Sequence, residues 1–201
     1  MFTVPPRPGL VGDGPGTKVL KRSILMPGVM GVLVALFGWT VAHNMVYTYI
    51  QPLTSGVGIA LGVDVVLLFF GISAGISILL TAVVVDKRLF LTGLISGALM
   101  LLGFLLLSVP AAPNYFFISG IIVWGLGFGG APTVLQTALA RNAVNLADIA
   151  QSFFVTIFNF GVGIGGALGG AISSLWGASA LSIGAGVMCV LVFGLLVVRN
   201  R

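Results

Sequence analysis

His43 and Tyr47 stand four residues apart in an otherwise apolar run, which places both side chains on one face if the run is helical. His43 is the only histidine in the chain, and imidazole is the side chain whose ordinary titration falls near neutral pH. A proton-linked step is the chemistry such a residue could carry. Asn44 and Gln51 lie seven apart on a neighbouring face, and Gln136, Gln151 and Asn159 are further polar groups within apolar stretches. Polar side chains in such surroundings are costly, so each must either bond a neighbouring helix or face a ligand. Pro132 lies inside another apolar run and cannot donate a backbone proton to the carbonyl of Phe128, so a kink is expected there. Gly125, Gly127, Gly129 and Gly130 make the approach to it pliable. A packing kink and a gate at Gly129 and Pro132 both fit that pattern.

Other chemistries are poorly served. One cysteine, Cys189, and one histidine make neither an intramolecular disulfide nor a zinc site, so no metal is expected. No serine or cysteine nucleophile has a plausible base and orienting acid, so the chain does not read as an enzyme. Gly161, Gly163 and Gly166 match the spacing of a dinucleotide loop, but that motif needs a preceding strand and a soluble βαβ unit. Glycines four apart, at Gly71/Gly75, Gly93/Gly97, Gly125/Gly129 and Gly161/Gly165/Gly169, instead let helix backbones approach closely in lipid. No cofactor is expected.

These residues need elements to hold them, and composition says which. The chain has 201 residues, 58% hydrophobic and 6% charged, whereas soluble domains carry about 25% charged residues. A water-soluble globular protein is excluded. The net charge of +5 comes from cations too scattered to form a nucleic-acid-binding face. The charges act as punctuation: 41 residues without Asp, Glu, Lys or Arg separate Arg22 from Asp64, and 21 separate Asp64 from Asp86. Arg88 and Arg141 enclose 52 more, and Asp148 and Arg199 enclose 50. A helix needs about 20 apolar residues to cross a hydrocarbon core of roughly 30 Å. The gaps therefore hold six spans, near 28–50, 63–85, 89–109, 116–140, 149–175 and 178–198. Runs of this length exclude barrel strands, and lipid leaves backbone groups no partner outside a helix. An all-α membrane protein is the expected fold class.

All nine Lys and Arg fall on one side of this arrangement, so both termini are expected in the cytoplasm of a multi-pass protein of the cell membrane. Residues 1–22, rich in Gly and Pro, read as a flexible cytoplasmic tail before a transmembrane domain over 23–201.

The segment His43–Leu53 resembles the seventh span of major facilitator superfamily exporters of the drug and sugar efflux type. Trp124–Pro132, with Gln136 and Arg141, resembles the tenth span, and Phe158–Gly170 the eleventh. Asp86, Lys87 and Arg88 resemble the cytoplasmic loop motif between spans eight and nine, although Ala82 stands where that motif has glycine. The resemblance covers about residues 24–198 and implies the C-terminal half of a twelve-span transporter, built from inverted three-helix repeats. It implies cavity residues at His43, Tyr47, Phe128, Gln136 and Asn159, with spans three and six facing lipid. The implied function is transport of a small molecule by half of a proton-coupled efflux transporter. The implied partners are the bilayer, the substrate, and a second six-span half or a second copy. The alternative is a truncated, non-transporting membrane protein or a regulatory or binding subunit.

Overall fold

A computed structural model describes residues 27–199 except 60, 111, 112, 144 and 145; the expected tail over 1–22 lies outside the described residues. The elements are α1 (Pro27–Tyr47), α2 (Ile50–Val57), α3 (Val63–Leu107), α4 (Asn114–Gly129), α5 (Ala131–Asn142), α6 (Ala147–Trp176) and α7 (Ala180–Arg199). Among the described residues the protein is all-helical.

The 45 residues of α3 would reach about 68 Å as one rod, more than twice a bilayer core. They do not form one rod, because Arg88 leaves helical geometry at φ −138° and ψ 44°. The break falls within the charged Asp86-Lys87-Arg88 cluster and divides α3 into two apolar stretches. With α4 and α5 counted together and the short α2 set aside, six apolar helical stretches stand among the described residues where six spans were expected. Four helical segments, Gly28–Tyr47, Val63–Leu107, Asn114–Asn142 and Ala147–Trp176, are long and apolar enough to cross a membrane.

Two boundaries differ from expectation, for one reason. The first stretch does not run unbroken to residue 50: it ends at Tyr47, and the chain restarts as α2 at Ile50. The fourth is not one helix over 116–140, since it breaks at Gly130. Pro52 and Pro132 fall in the first turns of α2 and α5, where a missing N–H leaves no intrahelical bond unmade. Each proline opens a new helix.

α1 is the hub, packing on α5, α6 and α7, while α3 packs on α4, α5 and α7. The close approaches follow one register used twice. On α6, Gly161, Gly165 and Gly169 lie against Thr40, Val41 and Met45 of α1. On α3, Ser73, Ser77 and Thr81 lie in the same order against Gly125, Leu126 and Gly130. In both cases small residues four apart let two backbones meet, the packing that lipid favours. The α1 and α4–α5 sequences share this register, with Trp39, Thr48 and Gln51 matching Trp124, Thr133 and Gln136 at a constant offset.

The second half of α3 and α7, the stretches expected to face lipid, expose Phe90, Leu102, Leu105, Ile183 and Val190. The exposure extends further than expected. The first half of α3 exposes Leu68, Leu79, Leu80 and Val83, and α6 exposes Val155, Phe160, Leu175 and Trp176. Apolar surface on this scale would be an aggregation liability in water.

Candidate functional site

Three of the five expected cavity residues come together. His43, one turn from the end of α1, lies flat on Phe128 at the end of α4, with ring centroids 3.6 Å apart and planes inclined by 2°. Tyr47 covers it from the next turn of α1 at 5.0 Å. Phe70 of α3 and Trp124 of α4 close the sides at 5.6 Å and 5.2 Å. Phe70 and Trp124 also touch each other at 4.6 Å, and Phe104 backs the indole at 5.6 Å. The helical spacing accounts for the stack: His43 and Tyr47 are four apart, as are Trp124 and Phe128, so each helix offers one face of two rings. The tilted contacts of the cluster contribute about 0.5–1.5 kcal/mol each beyond the area they bury.

The site grades from closed to open. His43 is only 7% exposed, whereas Tyr47 is 41% exposed and forms its outer edge. Nδ1 of His43 and Nε1 of Trp124 are buried and have no hydrogen-bond partner among the described residues. An indole N–H is a donor only, so the partner that would satisfy Trp124 must bring an acceptor. Two adjacent rings with unpaired nitrogens, set among aromatic faces, suit a planar or ring-bearing ligand with a polar edge.

The other two expected cavity residues are elsewhere. Gln136 is exposed on α5. Asn159 is exposed on α6, where its amide donates to the Val155 carbonyl of its own helix at 2.8 Å. Neither has a ring contact that would draw it into the His43 stack. Resemblance gave their place in the sequence, but helical periodicity alone does not say which face meets which neighbour. Asn44, by contrast, is buried and returns its amide to the Thr40 carbonyl at 2.9 Å.

Both chain breaks flank the stack. Gly129 and Pro132, the expected hinge, bracket the Gly130 junction just after Phe128. On the other side, Tyr49 in the α1–α2 junction donates its hydroxyl to the Gly166 carbonyl at 3.0 Å. Its ring lies where a side chain on Gly169 or Gly170 would stand. Those glycines, with Gly161 and Gly165, serve close packing.

The charged loop sits apart from the rings. Arg141 at the end of α5 donates to the Asp86 main-chain carbonyl at 2.7 Å and lies 3.5 Å from its carboxylate. This exposed pair ties the break in α3 to the end of α5, while Lys87 and Arg88 complete the cluster. Exposed pairs of this kind add about 0–1 kcal/mol, so the contact orders the loop more than it holds the fold.

Sequence reasoning missed Phe70 and Ser77, and quoted Tyr49 and Trp124 only as parts of motifs. A signal for Trp124 and Ser77 was present in the constant offset between α1 and α4–α5 and in the Ser73-Ser77-Thr81 spacing, which repeats that of Gly161-Gly165-Gly169. Among the described residues no group of His, Cys, Asp and Glu could hold a metal ion. No family model matches the sequence.

Proposed function

We propose that this chain is one six-span half of a major facilitator-type transporter that moves a small molecule across the cell membrane, with both termini cytoplasmic. The observation that carries the reading is the His43 stack. It is a buried cluster with one open edge and two unpaired nitrogens, built mainly on the first helix of each three-helix set, with Phe70 of α3 at its side. The doubled packing register supports an inverted repeat, in which α1 with the two halves of α3 corresponds to α4–α5, α6 and α7. His43, the only imidazole in the chain, supports proton-coupled efflux because imidazole is the side chain that ordinarily exchanges a proton near neutral pH.

The exposed face of α6 supports a second half as partner. Ser152, Thr156, Asn159 and Gly163 follow one another at steps of four, three and four residues, and all are exposed. A polar and small-residue seam of this kind is costly against hydrocarbon and suits another helix. Gln136 and Asn159 then belong to surfaces completed by that partner.

The test is uptake into inverted membrane vesicles carrying the chain alone, or together with a separate six-span half, across a panel of fluorescent small molecules and with an imposed proton gradient. Gradient-dependent accumulation that requires both halves is expected. No accumulation of any panel member in either arrangement would favour the binding or regulatory subunit instead.

A further inference from the structure

Gly130 breaks the fourth apolar stretch, and a side chain from another helix stands inside that break. Ser77 of α3 accepts a hydrogen bond from the Gly130 N–H at 3.0 Å. Its own hydroxyl proton goes to the Leu126 carbonyl at 2.6 Å. Gly130 and Leu126 are four residues apart, the donor and acceptor that would bond each other in an unbroken helix. The hydroxyl is therefore inserted into the ladder, a recognised cause of local helix distortion. Pro132 already removes the bond to the Phe128 carbonyl two residues on. Phe128 thus lies in the last turn before a junction that Ser77 bridges.

The neighbouring hydroxyls behave differently. Ser73, one turn earlier on the same face of α3, bonds only the Phe69 and Phe70 carbonyls of its own helix, at 2.9 Å and 2.8 Å. Close approach makes the Ser77 bridge possible, because a side chain on Gly130 would collide with Ser77 and Thr81.

We propose that Ser77 is a positioning residue for the His43 site: its hydroxyl, held between Gly130 and Leu126, fixes the end of α4 so that the Phe128 ring lies flat on His43. When the hydroxyl withdraws, the Gly130–Leu126 bond closes, the end of α4 rewinds and Phe128 leaves the imidazole. That movement uncovers Nδ1 of His43 and Nε1 of Trp124, the two nitrogens left without partners while the stack is closed. Ser77 is then the contact that decides whether the site is shut or can receive a polar ligand edge. Its importance to transport rests on the function proposed above; its control of the stack does not.

The chain contains a single histidine, so carbethoxylation by diethylpyrocarbonate, followed by absorbance, reads His43 alone. The measurement uses the full purified chain in lipid nanodiscs, without substrate. Ser77→Ala is expected to raise the modification rate about tenfold, the population change that one lost hydrogen-bonded bridge brings. It should also move the single histidine ring signal in NMR away from its ring-current-shifted position. Ser73→Ala removes a hydroxyl of the same size from the same helix face and is expected to change neither reading. Equal rates in Ser77→Ala and the unaltered chain would overturn the proposal. So would equal acceleration in both variants, which would mean general loosening of α3. A normal response here with no transport in the vesicle assay would leave the hinge standing and remove the transport reading.

Discussion

Gly127→Val is expected to prevent the chain from accumulating as a folded, monodisperse species. Gly127 is buried where α4 crosses the second half of α3. A β-carbon there would stand 2.8 Å from the Ser96 carbonyl oxygen and 2.9 Å from the Leu99 carbonyl carbon. Both are backbone atoms of a neighbouring helix, so no side chain can turn aside to make room. The helices would have to separate, opening the contacts around Phe104 and Trp124 that form part of the core. Overpacking of a tight interior costs about 1–3 kcal/mol, and more when backbones must move. A glycine that faces open space is the control: nothing lies within 4 Å of a β-carbon at Gly71. Gly71→Val should elute and melt close to the unaltered chain. Size-exclusion profiles and thermal melts in detergent check both. Equal behaviour of the two variants would show that the close crossing of α3 and α4 is misplaced.

The second large effect is expected at the imidazole. His43→Ala removes face contact with Phe128 and side contacts with Tyr47, Phe70 and Trp124. With aromatic pairs contributing about 0.5–1.5 kcal/mol each, substrate efflux through the two-half assembly should fall by tenfold or more. His43→Gln keeps a polar group of similar reach but cannot take up a proton near neutral pH. It should flatten the pH dependence of efflux. Retention of the original pH profile in both variants would remove His43 from proton coupling.

Much of this architecture was legible in the sequence because charges are so scarce. Arg22, Asp64, Asp86, Arg88, Arg141, Asp148 and Arg199 bound apolar stretches whose lengths allow only helices of membrane-spanning size, and those among the described residues lie at a helix end or at the break in α3. His43, Tyr47 and Phe128 were also legible, since four-residue spacing and motif resemblance pointed to the same face. What was not legible depends on contacts between helices. Pro52 and Pro132 announced irregularity, yet the break at Thr48–Tyr49 and the one at Gly130 are each shaped by a hydroxyl, that of Tyr49 on Gly166 and that of Ser77 on Leu126. A serine within an apolar run looks the same whether its proton goes to its own helix, as at Ser73, or to another, as at Ser77. Gln136 and Asn159 illustrate the same limit: polar within apolar runs, they are exposed on faces away from the His43 stack, and periodicity alone does not say which face meets which neighbour.

Everything proposed for the His43 stack requires that it lie within a membrane crossed six times. The direct measurement is reporter fusion in cells, with one reporter active only outside the cytoplasm and one active only inside, each attached after residue 55 and after residue 201. Six crossings with the cations inside predict that residue 55 reports outside and residue 201 reports inside. If both positions report the same compartment, the six-span account and the transport reading built on it are wrong.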